Sequence, residues 1–231
     1  LATTQVVGRD RYIEYVSWLA NVAASCEKIL QEIRNLQRSE IQEAGEGFDI
    51  KKQVGSSTMA HKKNPIKSEN ASGLARIVRS MIIPTYENAL LWHERDLANS
   101  SSERFTLSHG SALCEDVITK TRQVLTNMWV DADRCLENIK SQRGLVMAEK
   151  VMIELVEHGI PRDEAHEILR SASFEAVDKK IELIDVCSRT PEIAAAFSAA
   201  ELEAMFDPMN HIGVSGEIVD EAVALARLAI K

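Results

Sequence analysis

The run Gly55-Ser56-Ser57-Thr58-Met59-Ala60-His61-Lys62-Lys63-Asn64-Pro65, followed by Glu69 and Asn70, gathers hydroxyls, cations and amides in one short stretch. Such a set can surround an anion, and the N-terminus of the helix expected to follow adds a favourable dipole. From composition alone the same stretch reads equally as a solvated basic linker. A second group lies in Leu91-Trp92-His93-Glu94-Arg95-Asp96-Leu97-Ala98-Asn99-Ser100-Ser101-Ser102-Glu103-Arg104. Two guanidiniums nine residues apart, with three serines between them ahead of a helix, can grip a phosphate through planar forks, hydroxyls and N–H groups. Standing alone, that segment reads also as a helix cap with surface ion pairs.

The elements that must hold these groups are helical. From Arg11 to about Glu43, apolar positions from Tyr12 through Val16, Leu19, Ala23, Leu30, Ile33 and Leu36 to Gln37 recur at three- and four-residue steps. This predicts one helix near 50 Å long, at about 1.5 Å per residue, which a small domain cannot cover. Periodicity collapses between Gly45 and Asn64, and a loop of that length is expected to have a function. Helical spacing resumes from Pro65 to Ala89, with a weak point at Pro84, and from Ser101 to Trp129. Shorter amphipathic helices follow, with Gly159, Pro161 and Asp207-Pro208 marking breaks. The expected fold is all-α, an elongated long-helix bundle over residues 1–143 followed by a small C-terminal helical domain over 144–231.

Composition supports this class. Aromatic residues are 5% of the chain, and 10 Gly and 5 Pro interrupt it rarely. A formal charge of −8 argues against general nucleic-acid binding, so any basic site must be local. Cys26, Cys114, Cys135 and Cys187 lie far apart without a C-x-x-C pair, which suggests neither zinc nor a disulfide scaffold and fits a reducing cytoplasm. No apolar run of about 18 residues appears, so no membrane span is expected. The chain begins at Leu1 inside a running pattern and reads as a fragment.

The Gly55–Pro65 segment resembles the signature G-S-S-x-M-P-x-K-x-N-P of the fumarase, aspartase, argininosuccinate lyase and adenylosuccinate lyase superfamily. Ala60 stands in place of the usual proline, and Lys63 where close relatives often carry arginine. The resemblance implies that Ser56 is the base that removes a proton beside a carboxylate. Free serine is a poor base, so its alkoxide needs donors and cationic charge at close range, which Lys62 and backbone N–H groups can supply. Lys62 and Asn64 inherit contacts to the substrate carboxylates, and Ser57 is either a ligand contact or a turn-capping hydroxyl. Glu69 inherits the place of the partner to the histidine that protonates the leaving nitrogen. That histidine belongs to an upstream family segment, and none of His61, His93, His109, His158, His166 or His211 sits in a matching motif.

H-E-R-D followed by S-S-x-E-R is similar to the nucleotide-binding segment of the adenylosuccinate lyase branch. Arg95, Ser100 and Arg104 thereby inherit nucleotide contacts, as does Gln5, which precedes Arg9-Asp10-Arg11, and Asn70 falls on another ligand-contacting position. The resemblance continues through Arg143-Gly144-Leu145 and the Gly159–Ala165 turn to span the chain, and Met205, Phe206 and Met209 read as packing residues. It implies a carbon–nitrogen lyase of purine biosynthesis without metal or cofactor. Its substrates would be succinyl-purine nucleotides, giving fumarate with AMP or with the aminoimidazole carboxamide nucleotide. It also implies a homotetramer whose sites draw on three subunits, and these residues alone would then be inactive. Two rivals stand beside it, a carboxymuconate cycloisomerase-like enzyme, which shares the loop but has no use for the Arg95–Arg104 cluster, and a non-catalytic helical assembly module.

Overall fold

The computed structural model describes residues 7–47, 62–93 and 96–230. Its helices are α1 (Asp10–Leu36), α2 (Ile66–Ser80), α3 (Ile82–Glu87), α4 (Ala98–Thr106), α5 (Ser108–Asn127), α6 (Ala132–Ser141), α7 (Ala148–Glu157), α8 (Arg162–Lys179), α9 (Leu183–Arg189), α10 (Pro191–Ala196), α11 (Ala199–Phe206) and α12 (Ser215–Ala229). Two short strands, β1 (Ala44–Gly45) and β2 (Trp129–Val130), pair antiparallel with Ala44 opposite Val130. The chain divides into two compact units between Arg134 and Cys135, inside α6. The first unit carries the residues with candidate chemistry.

In that unit α1, α2 and α5 form a three-helix bundle. Leu19 and Ala23 of α1 pack with Ala75 and Val78 of α2 and Cys114 and Val117 of α5. Further along, Leu30 and Ile33 meet Ala71 and Val124. The pairings run forward in α1 and α5 and backward in α2, so α2 is antiparallel to the other two. Each fully buried aliphatic side chain in these layers stabilises the bundle by about 1.5–3 kcal/mol relative to exposure. Glu27 adds ion pairs from α1 to Arg76 and Arg79 of α2.

Several boundaries differ from the sequence reading, and two of them have a plain cause in bonding. Helix α1 ends at Leu36, because Gln37, counted there in the apolar pattern, turns its amide to tertiary partners, donating to the Lys63 carbonyl at 3.0 Å and accepting from the Glu46 N–H at 2.8 Å. The helix expected from Pro65 to Ala89 is interrupted at Met81, as Pro84 lacks the N–H that would reach the Ser80 carbonyl.

The second unit has its own core, where Val151 and Leu155 of α7, Leu169 and Ala172 of α8, Leu183, Val186 and Cys187 of α9, Ile193, and Leu202 of α11 are buried together. Ser198 and Glu201 cap α11 reciprocally. Of the expected packing residues, Met205 is buried but Met209 is 66% exposed. Among the described residues no helix is long and apolar enough to cross a membrane.

Candidate functional site

Helix α2 starts immediately after the signature segment and carries Glu69 on its first turn. Lys62, Lys63, Asn64, Pro65 and Glu69 line one open cleft of about 980 Å³ with Arg34, Gln37 and Arg38 from the end of α1 and with Trp129 and Asp131 beyond α5. Four cations face two carboxylates in a chain whose formal charge is −8, so positive potential is concentrated where the sequence reading asked for it. The Glu69 carboxylate has no hydrogen-bond or ion-pair partner among the described residues. It is exposed and available to a group brought from elsewhere. Arg34 and Arg38 were not legible as site residues, since on the sequence they are polar positions of an amphipathic helix.

The backbone at the start of α2 does not play the role expected of it. Pro65 at the N-cap has no side-chain acceptor, and the first-turn N–H groups of Lys67 and Ser68 instead donate to the carboxylate of Glu46, at 3.1 and 3.0 Å. The helix terminus that would have received an anion is therefore already occupied by one. Anion binding in the cleft falls to side chains.

Asn70 points toward α5, where its Oδ1 accepts from Lys120 at 2.6 Å, and it does not line the cleft. Ser100 and Arg104 lie on α4, which packs on α3 and α5. Arg104 is exposed and Ser100 half-buried. Just ahead of α4, Asp96 accepts from the N–H groups of Trp92 and Ala98, both at 2.8 Å, and these two bonds hold its carboxyl below the usual range. Gln5, Ser56, Ser57, His61 and Arg95 lie outside the described residues.

Within one chain the two groups of candidate residues sit far apart. Arg9, just before α1, is bonded to Glu103 of α4 at 2.8 Å, whereas Gln37, just after α1, is bonded to Lys63. The 27 residues of α1 between these anchors rise about 40 Å at 1.5 Å per residue. The cleft with Lys62, Asn64 and Glu69 is thus at one end of the bundle and Arg104 at the other, more than a single nucleotide spans.

None of the histidines among the described residues lines the cleft. His158 and His211 are bonded to the carbonyls of Glu154 and Met205, and His109 stacks on Phe105. Among the described residues no group of three or more His, Cys, Asp or Glu could hold a metal ion. What the cleft can do by itself is bind an anion beside a carboxylate that has no partner among the described residues.

Comparison with known proteins gives these features a context. A family model described as adenylosuccinate lyase C-terminus matches residues 144–222, and one described as lyase matches residues 2–80. The chain is 42% identical over its whole length to the adenylosuccinate lyase of Archaeoglobus fulgidus, of which it covers 52%. Among solved structures it is similar to a fumarate lyase from Mesorhizobium, with a TM-score of 0.83 at 28% identity. It is also similar to the 3-carboxy-cis,cis-muconate lactonizing enzyme of Pseudomonas putida, with a TM-score of 0.82 at 29% identity. Each alignment covers 94% of this chain and 47% of the other. The chain spans about half the length of the curated relatives it matches. On the strength of those relatives and of the two family models, the chain belongs to the adenylosuccinate lyase family, within the fumarase and aspartase superfamily.

Proposed function

We propose that the protein containing this chain is an adenylosuccinate lyase, releasing fumarate from adenylosuccinate to give AMP and from the succinyl aminoimidazole carboxamide nucleotide. The observation that carries this reading is the basic cleft, which in a family member gathers Lys62, Asn64 and a Glu69 whose carboxylate has no partner among the described residues. Ser56 takes a proton from the succinyl carbon beside a carboxylate, and Lys62 and Asn64 stabilise the negative charge that develops there. The carbon–nitrogen bond then breaks with its electron pair passing to nitrogen. A histidine oriented by Glu69, and supplied from outside this chain's 231 residues, protonates that nitrogen. Gln5, Arg95, Ser100 and Arg104 hold the nucleotide, and Ser57 and Asn70 make further ligand contacts. No metal or organic cofactor takes part.

The separation along α1 supports a site shared between copies, with the cleft end of one chain facing the α4 end of another. We assign a homotetramer acting in the cytoplasm. Large apolar side chains left exposed on the bundle, Trp18 at 57%, Ile83 at 70% and Tyr86 at 54%, fit a surface covered by further chains. The likeness to the muconate lactonizing enzyme keeps a cycloisomerase as the second reading. Assays of the assembled protein with adenylosuccinate and with carboxymuconate separate the two. Fumarate release from the first alone is expected, with Ser56→Ala abolishing turnover while nucleotide still binds. Turnover of carboxymuconate alone overturns the lyase reading, and no turnover of either supports a non-catalytic module.

A further inference from the structure

Among the described residues of the bundle unit Glu46 is the most deeply buried charged residue, at 4% exposure, and a carboxylate is stable inside only where it is bonded there. It is bonded fully. One carboxylate oxygen accepts from the Lys67 N–H, and the other accepts from the Ser68 N–H and, at 2.9 Å, from the Ser68 hydroxyl. Its own N–H donates to the side-chain oxygen of Gln37, whose amide nitrogen donates in turn to the carbonyl of Lys63. One continuous network therefore runs from the end of α1, through Glu46, to both sides of the segment that contains Lys63, Asn64 and Pro65. It ends one residue short of Glu69.

The backbone around Glu46 is built to bring it there. Gly45 passes so close to Trp129 and Gln37 that a β-carbon would lie 2.6 and 2.8 Å from their side chains, and a β-carbon on Gly47 would lie 2.2 Å from the Asn127 carbonyl oxygen. Strand pairing of Ala44 and Gly45 with β2, and the bond from the Asp131 N–H to the Glu43 carbonyl, fix the approach. A glycine on each side lets the backbone thread between α1 and the end of α5 and set the carboxylate under α2.

We infer that Glu46 is a positioning residue for the cleft, fixing Asn64 and Glu69 through the start of α2. This rests on the lyase reading given above. Its carboxylate also quenches the partial positive charge of the α2 terminus, so that the anion-attracting charge of the cleft resides on Lys62, Lys63, Arg34 and Arg38 and not on backbone N–H groups. Glu46→Gln keeps the shape but places an NH₂ against backbone donors, so the first turn of α2 must shift. Displacement of reacting groups by about 1 Å is costly to turnover. Binding of the nucleotide phosphate, by contrast, draws on Ser100 and Arg104 of α4, at the far end of the bundle.

The test is steady-state kinetics of the assembled enzyme, with the concentration of folded protein fixed by gel filtration and circular dichroism. For Glu46→Gln a fall in kcat of about tenfold or more is expected, with KM for adenylosuccinate within about twofold of the parent. Gln37→Ala, which removes the outer link at a half-buried position, is expected to lower kcat by about threefold with the same unchanged KM, and it carries the test if Glu46→Gln does not fold. Unchanged kcat in the folded variants, or a rise in KM equal to the fall in kcat, overturns the positioning role while leaving the lyase reading intact. Absence of turnover in the parent enzyme overturns the lyase reading itself, and the inference with it.

Discussion

Placing the cleft and α4 at opposite ends of α1 makes a quantitative statement about mixtures of damaged chains. Consider two variants of the assembled enzyme, Lys62→Ala at the cleft and Arg104→Ala on α4, each expected to be nearly inactive by itself. The anchors Arg9–Glu103 and Gln37–Lys63 are separated by the 27 residues of α1, about 40 Å, so one chain cannot supply both residues to one nucleotide. If each site draws Lys62 from one copy and Arg104 from another, co-expression at equal levels leaves each donor intact half the time. About a quarter of the sites in the mixed oligomers should then be whole, and fumarate release should recover to about a quarter of the parental rate. The doubly substituted chain mixed equally with the parent provides the control. Sites shared between copies should again give about a quarter, whereas sites made within one chain should give about a half. The assay is fumarate release from adenylosuccinate by oligomers carrying two different affinity tags. No recovery above either variant alone would refute the reasoning, since it would mean that both residues serve the same site from the same chain.

Three further outcomes are expected. Leu155→Ala empties the centre of the second unit's core, where Leu155 is fully buried, and should cost about 2–5 kcal/mol in urea or thermal unfolding; a loss below about 1 kcal/mol would mean that the core is not packed as described. Gly47→Ala must push the chain off the Asn127 carbonyl and should cost about 1–3 kcal/mol in the same measurement, and a neutral result would contradict the close approach. Burial pushes the Cys187 thiol from an ordinary value of 9.0 up to about 12. Iodoacetamide at pH 9 should therefore spare Cys187 in the folded protein while modifying half-buried Cys26 and Cys135, as peptide mapping will read. The unfolded chain releases that proton near pH 9 and the folded chain holds it. The stabilisation is thus complete below pH 9 and is lost as pH rises toward 12, and Cys187→Ala should unfold with a shallower dependence over that window.

Much of this molecule is written in local patterns. The periodicity of α1 is visible because Val16, Leu19, Ala23, Leu30 and Ile33 all face one seam, and the chemistry of Lys62, Asn64 and Glu69 is visible because it is contiguous. Gln37 reads as part of the seam because its register continues it, while its amide is recruited by groups 9 and 26 residues further on. The helices α9 and α11, at 7 and 8 residues, are too short for a period to declare itself. Glu46 escaped because it stands among glycines in a stretch without periodicity, and its partners at Lys67 and Ser68 follow only after a further 20 residues. The distance between the cleft and α4 was hidden for a related reason. Lys62 and Arg104 are 42 positions apart, and only the reversal of α2 against α1 and α5 decides where each lies along the bundle.

The length of α1 also limits how the gene can change. Removing one residue from its middle would rotate everything beyond by about 100° and draw the ends closer by about 1.5 Å. Leu19 and Ala23 would keep their seats while Leu30 and Ile33 lost theirs. Only steps of about seven residues restore the facing, and they would have to be matched in α2 and α5 together. The bundle is therefore a gauge block, open to substitution along its outer faces and closed to single-codon insertion or deletion.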